Sequence, residues 1–297
     1  MIDEEQPAAE LLKRGFCILR GIAPVETMTA LDRDLDAQFA TTPYCDGDFY
    51  GRATKRLGGL LLRSRQAEAL VQHPDVLALA EQVLLPWCDR VALNLTQAIE
   101  IHPGALAQYP HRDEDMWGGP KGAVEYLVNV MWPLVPFSPD NGATRLWPGS
   151  HRDRSVHGTE IDTVVPALDP GDALLFLGST LHGGGENRTR QARRGIIVSY
   201  CLGWLKPFEN QWLVYPPDVA RTFDPELAAL IGYVQHRPNL GNVEGRCPSE
   251  LLWPTGGGLP AADALLPAQN EALAVHVAEQ MAARAGLLGG WPPLAWL

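Results

Sequence analysis

His111 and Asp113 stand two residues apart, His182 follows 71 residues after His111, and an Arg193-Arg194 pair comes soon after that. Two imidazoles and one carboxylate are the donor set that holds a non-haem ferrous ion by one face, leaving its other positions open for a cosubstrate and oxygen. The arginines extend that chemistry. A cosubstrate that chelates iron through an α-keto acid carries a second carboxylate, and a planar guanidinium can clamp it bidentately. An H-x-D pair alone is a weak signal, because His and Asp also meet in turns and surface loops. On a strand, however, residues i and i+2 point to one face, so His111 and Asp113 could reach a single ion.

The surrounding elements must bring these residues together. A Pro170-Gly171-Asp172 turn feeds an apolar strand over 172–177, with His182 placed at its far end. Gly183, Gly184 and Gly185 then permit close backbone approach. Residues 195–205 suggest the neighbouring strand, with Arg193 at its start. Adjacent strand residues point to opposite faces, so Arg193 is expected to face the site and Arg194 to matter little. Residues 90–101 alternate as a further strand, Val91, Leu93 and Leu95 facing one way and Asn94, Thr96 and Ala98 the other. Strands are also predicted over 124–135 and 163–168.

Earlier in the chain, a short helix over 7–14, a strand over 15–20, and a helix behind Pro24 carrying Met28, Leu31, Leu35 and Phe39 are predicted. Residues 41–59 have no period and suggest a long loop of the kind that closes over a ligand. A helical stretch over 67–85 breaks at His73-Pro74. Beyond Lys206 come helices over 225–233 and 269–285, a hinge at Gly256-Gly257-Gly258, and Trp291 and Trp296 on a tail suited to capping the core or meeting a second subunit. Helices first, then strands at short spacing, predict a mainly β fold with flanking helices: an antiparallel two-sheet roll with helices on one outer face. Residues 1–297 suggest one domain, helical over about 1–89, a β-roll over about 90–205, and a helical extension over about 206–297.

The stretch from Tyr109 to Leu205 resembles the phytanoyl-CoA dioxygenase family of iron(II)- and 2-oxoglutarate-dependent oxygenases. The resemblance is carried by His111-Arg112-Asp113, by the run from Asn141 through Thr144 and Trp147 to His151, by Gly171-Asp172 with Leu181-His182-Gly183, and by Arg193 eleven residues past His182. Residues 203–206, 209–211 and 231–233 are similar to members that modify secondary metabolites.

That resemblance implies a double-stranded β-helix core, the jelly-roll of cupin-like proteins. It further implies that His111, Asp113 and His182 ligate Fe(II), that Arg193 pairs with the distal carboxylate of 2-oxoglutarate, and that Thr144 hydrogen-bonds the same cosubstrate. Tyr109, placed on the face of His111 where relatives often have a polar amide, is expected to help bind the cosubstrate. Gly184 stands where many have a serine hydroxyl. Trp117 and Trp147 are expected to line the substrate cavity. The implied reaction consumes O2, turns 2-oxoglutarate into succinate and carbon dioxide, and oxidises a substrate C–H bond. Halogenating relatives carry a small residue in place of Asp113, so hydroxylation is favoured here, with desaturation, epoxidation and rearrangement left open.

With 297 residues and 46% of them hydrophobic, the chain can bury a sizeable core. A net charge of −11 argues against nucleic acid and anionic membrane surfaces as partners and against a polyanionic thioester substrate, while the Trp-rich surroundings and the resemblance to secondary-metabolite oxygenases imply a mostly apolar, weakly charged small molecule. Five scattered cysteines with no C-x-x-C suit reduced thiols in a cytosol. The acidic N-terminus does not suggest a signal peptide, and no apolar run approaches the ~20 residues of a membrane span, so a cytoplasmic protein is expected. Two other classes would use this scaffold differently. A non-catalytic binding protein would need neither an intact triad nor Arg193, and a zinc-dependent hydrolase could use the same ligands but has no task for Arg193.

Overall fold

The computed structural model of the chain describes residues 5–158, 163–254 and 260–287. The glycines expected to form a hinge at 256–258, and Trp291 and Trp296, lie outside the described residues. Helix α1 (Glu5–Arg14) gives way at Gly15, whose φ of 86° turns the chain into strand β1 (Phe16–Leu19). A Cβ there would stand 2.4 Å from Thr180 Oγ1, so the close approach of this turn to the one before His182 also requires glycine. Helix α2 (Val25–Thr41) starts behind Pro24 and buries the stripe Met28, Leu31, Leu35 and Phe39. Pro74 opens α4 (Pro74–Leu84), where its missing N–H has no intrahelical partner to lose, and so separates it from α3 (Gln66–Val71).

The segment predicted as a loop over 41–59 is a loop only in its first part. Thr54–Gly58 forms β2, antiparallel to β3 (Val91–Ile101) from Thr54↔Ile101 to Gly58↔Gln97. It is an edge strand held by its ladder with β3, and a strand held that way needs no apolar alternation of its own.

Strand β3 is bulged. Its register against β8 (Arg193–Leu202) shifts between Leu93 and Leu95, so Asn94 is the extra residue and the alternation inverts. Val91 and Leu93 join Ala98 in the core beneath the helices, whereas Leu95, Ile99 and Ile101 belong to the interior of the roll. The single face expected for Val91, Leu93 and Leu95 is therefore split. Asn94 is buried and satisfied: Nδ2 donates to Ser199 Oγ at 3.0 Å and Oδ1 accepts from Phe208 N at 2.7 Å.

With β4 (Leu127–Pro133) and β6 (Ala173–Leu177) the large sheet is six-stranded and antiparallel, in the order β1-β6-β4-β8-β3-β2. Both edge strands come from the mainly helical N-terminal part: β1 falls within the strand expected over 15–20, whereas β2 is not foreseen by the sequence. On one face, residues of α1 to α4 pack with Val128, Val130, Val198 and Tyr200 in one core. The other face meets a small sheet of β5 (Thr144–Leu146) and β7 (His182–Gly184), widened by single bridges from Leu146 to Val164 and from His182 to His111. This is a jelly-roll with flanking helices. The strand predicted over 163–168 survives only as bridges at Val164 and Leu168. Short helices α5 (Gln211–Val214), α6 (Pro217–Ala220), α7 (Pro225–Leu230) and α8 (Ser249–Leu252) precede the long α9 (Pro267–Leu287). Among the described residues no helix is long and apolar enough to cross a membrane.

Glu125, just before β4, accepts hydrogen bonds from the Ser179 backbone N–H and hydroxyl, and so ties the sheet to the turn ahead of His182. Burial pushes its carboxyl up to about 7, against the Ser179 hydrogen bonds. A carboxyl whose folded value is raised favours the protonated folded state, so its contribution is present at low pH and is lost as pH rises towards that value. Glu125→Gln keeps a hydrogen-bonding amide without the charge. Relative to that variant, the wild type is expected to lose roughly 5 °C of Tm between pH 5 and pH 8; a constant difference in thermal melts would show that Glu125 titrates alike folded and unfolded.

Candidate metal centre and its cavity

The two sequence-distant histidines are neighbours through their backbones. His111 N donates to His182 O at 2.9 Å and His182 N to His111 O at 3.0 Å, which sets the imidazoles side by side with centroids 4.4 Å apart. His182 does not end β6 as the sequence suggests. A turn at 178–181 intervenes, and the residue opens β7 on the opposite sheet.

Each imidazole has its Nδ1 against a backbone carbonyl, Tyr109 O at 2.9 Å for His111 and Thr180 O at 3.0 Å for His182. A carbonyl only accepts, so both Nδ1 atoms carry the proton and both Nε2 lone pairs are free, the tautomer a metal needs. Those lone pairs point at acceptors: His111 Nε2 lies 3.3 Å from Asp113 Oδ1, and His182 Nε2 3.5 Å from Asp113 Oδ2. The three ligand atoms fall within 4.8 Å of one another. Burial opposes a charge on His111, but the Asp113 carboxylate raises its imidazole, favouring a proton where a cation could stand, and the three converging donors fit a divalent metal. Asn129 Nδ2 donates to Asp113 Oδ2 at 3.0 Å and fixes the carboxylate. Burial opposes the Asp113 charge, but His182, His111 and Asn129 overcome it and hold the carboxyl at about 2. Burial pushes His182 down to about 4, so it is neutral at pH 7.

Arg112, between the two ligands, turns the other way. Its guanidinium gathers the carbonyls of Ser179, Ser150, Asp153 and Val156, which clamps the triad segment to the turn before His182.

A cavity of about 120 Å3 opens on the triad. Arg193 lines it, 2% exposed, with Nη2 donating to Gly142 O at 2.6 Å, the guanidinium 4.0 Å from the Phe137 ring, and Nε without a partner. Among the described residues no carboxylate pairs with it. Burial, with the nearby Arg56 charge, pushes it down to about 9. Arg194 faces away from the cavity, but it is not idle: it binds Glu100 at 2.6 Å, Asp36 at 2.5 Å and Asp32 at 3.1 Å. Thr144 lines the cavity, opposite Gly184 in the β5–β7 ladder.

Three expected residues lie elsewhere. The Tyr109 ring is 74% exposed and contributes only its carbonyl, because Pro110 and a single isolated bridge, not a regular strand, lead into His111. The amide that this stretch gives the cavity wall is Gln108, whose Oε1 accepts from Gly184 N at 3.1 Å. Trp117 stacks on Tyr126 and donates to Lys206 O, and Trp147 is buried against Val156 and Leu181. Neither lines the cavity, whose apolar wall includes Leu95, Ile99, Met131, Phe176 and Ile197.

Sequence reasoning also missed Arg56 and Phe49. Arg56, on the unforeseen β2, is a second guanidinium on the cavity wall, bonded to Gln97 Oε1 at 2.8 Å and lowered by burial. Phe49, from the loop before β2, meets the His111 ring edge-on at 4.9 Å.

A family model described as phytanoyl-CoA dioxygenase (PhyH) matches residues 11–195. The chain belongs to that family. The Dioxygenase trt7 of Aspergillus terreus (strain NIH 2624 / FGSC A1156) is 31% identical to it over 243 residues, 78% of this chain and 85% of the relative. The Dioxygenase FrzG of a Cladobotryum species is 34% identical over 233 residues, 73% and 75% of the two chains. Among solved structures, the non-heme alpha ketoglutarate dependent epimerase SnoN from nogalamycin biosynthesis shares the fold, with a TM-score of 0.57 at 20% identity over 67% of this chain and 83% of its own. SnoN is also solved with Fe3+, alpha ketoglutarate and nogalamycin RO. Family membership together with the His-Asp-His set makes this phytanoyl-CoA dioxygenase relative an iron- and 2-oxoglutarate-dependent dioxygenase.

Proposed function

We propose that this dioxygenase hydroxylates a small, mostly apolar organic molecule of secondary metabolism, with His111, Asp113 and His182 holding the ferrous ion and Arg193, with Thr144, receiving the distal carboxylate of 2-oxoglutarate. The observation that carries the reading is Arg193: a buried guanidinium with an unpartnered Nε, in the same small cavity as the three ligands. An unpaired charge in the interior is costly, and a dicarboxylate reaching from the ion to Arg193 removes that cost. A zinc hydrolase would leave this guanidinium without a task.

The bound iron supplies oxidation of 2-oxoglutarate and of a substrate C–H bond by oxygen. The chain's residues orient and exclude. Asn129 fixes the Asp113 carboxylate, Phe49 covers the edge of His111, and the aliphatic wall keeps water from the reacting carbon. Asp113 at about 2 and His182 at about 4 stay in their ligand forms at neutral pH, and no side chain need carry a proton. Because Asp113 fills the position a halide would take, hydroxylation is the outcome the ligand set favours.

The aliphatic wall, the net charge of −11 and the complex of SnoN with nogalamycin RO all support a compact natural-product scaffold over a polyanionic thioester. Unpaired thiols at all five cysteines suit work in a cytosol. The test is succinate formation from 2-oxoglutarate, with and without ferrous ion, triggered by free hydrophobic scaffolds or by acyl-CoA thioesters. Iron-dependent turnover with the free scaffolds is expected. Coupled turnover confined to thioesters would overturn the substrate class, and succinate formation indifferent to iron would overturn the metal assignment.

A further inference from the structure

The catalytic cavity is small for two organic molecules. At about 120 Å3 it falls short of the ~300–1,000 Å3 of clefts that enclose a drug-sized ligand, and the stretch from the triad to Arg193 already belongs to 2-oxoglutarate. A substrate of any bulk must therefore keep most of its body outside, at the opening.

The exposed side chains of the lining mark that opening. Phe49, Tyr50, Met116 and Phe208 are each between 38% and 48% exposed, whereas Ile99, Met131, Phe176 and Ile197 of the same lining are buried. A single exposed apolar side chain is ordinary, but here three separate segments each bring one to the same opening. Each is fixed by what holds the site. In the loop before β2, Phe49 O accepts from Gln108 Nε2 at 3.2 Å, the Phe49 ring lies edge-on to His111, and the Arg56 guanidinium stands 4.9 Å from the centre of the Tyr50 ring. Met116 ends the 3-10 turn that Asp113 opens. Phe208 follows β8, its N–H donating at 2.7 Å to Oδ1 of Asn94, the inserted residue of β3. A rim already held in place meets a rigid apolar body at little ordering cost.

We propose that Phe49, Met116 and Phe208 determine substrate choice: they grip, outside the cavity, the apolar body of a rigid molecule too bulky to enter it, so that only one edge of that molecule reaches the ion. This rests on the iron and 2-oxoglutarate reading of the cavity. A slender molecule that slips wholly inside leaves the rim unused and is the poorer ligand.

Equilibrium dialysis of the full chain, with nickel(II) in place of iron and with saturating 2-oxoglutarate, compares 5α-androstan-3-one, a rigid fused-ring ketone, with cyclohexanone, its ketone-bearing ring alone. Met116→Ala and Phe208→Ala trim the rim at exposed side chains, which leaves no hole in the core. Leu213→Ala trims an exposed apolar side chain of α5 that is not part of the cavity lining, and so reports general surface stickiness. The steroid is expected to bind the wild type and Leu213→Ala alike, each rim variant roughly threefold more weakly and the double variant roughly tenfold more weakly, with cyclohexanone changed by less than about twofold throughout. Equal binding of the steroid by the wild type and the double variant, or no binding up to its solubility limit, would overturn the proposal. So would a double variant that loses 2-oxoglutarate in step with the steroid, since these side chains would then serve the cosubstrate. Failure of the wild type to take up 2-oxoglutarate with nickel is a separate result, which removes the reading of the cavity and the proposal with it.

Discussion

Asp113→Ala and His182→Ala are each expected to abolish iron-dependent succinate formation while leaving the fold intact. Losing a residue that merely supports a metal ligand typically costs ~10–100-fold in affinity or activity, so losing one of three ligands should cost more than that. The folds should survive because the backbone pair between His111 and His182 needs no imidazole, and the Asp113 side chain bonds only groups at the cavity. Activity assays at saturating ferrous ion, beside circular dichroism, separate the two effects. Near-normal turnover in either variant would remove the residue from the ligand set, and a lost dichroism signal would make it structural.

Arg193→Ala should raise the concentration of 2-oxoglutarate needed for half-maximal turnover by an amount equivalent to about 2–5 kcal/mol, the loss of a buried charge-assisted pair. Arg194→Ala, next to it, should leave that concentration unchanged and instead lower Tm. It strips the cation from Glu100, buried and otherwise bonded by His102, and from Asp32 and Asp36. Cosubstrate titrations and thermal melts of the two variants therefore give opposite rankings. The reverse pattern would mean that the strand register at residue 193 is off by one, which exchanges the faces.

The triad was legible in the sequence because four motif segments occur in order, although Asp113 opens a 3-10 turn and not a strand, and Arg193 was legible because adjacent residues of β8 face opposite ways. The roll was legible for a similar reason, since β4, β6 and β8 are long apolar runs bounded by turns. What stayed hidden was contributed by segments whose conformation is decided by distant partners. Arg56 rides on an edge strand that exists through its ladder with β3. The offset from Tyr109 to Gln108 follows from an irregular entry into His111, where the alternation rule does not apply. Trp117 and Trp147 suit the cavity by size and by proximity along the chain, yet both pack against other parts of the protein. The split of β3 by Asn94 could not be read from alternation either, because one inserted residue leaves the apolar pattern looking continuous.

That inserted residue also divides responsibility within the molecule. Upstream of Asn94, β3 serves the layer that holds helices to sheet; downstream, Leu95, Ile99 and Ile101 serve the reaction chamber, together with Met131 and Ile197 from the neighbouring strands. The side chains that shape what enters the chamber thus form a different apolar cluster from those on which the fold's stability chiefly rests. A lineage built this way can exchange one chamber residue after another, and with them its choice of molecule, while the scaffold and the ligand triad are inherited unchanged.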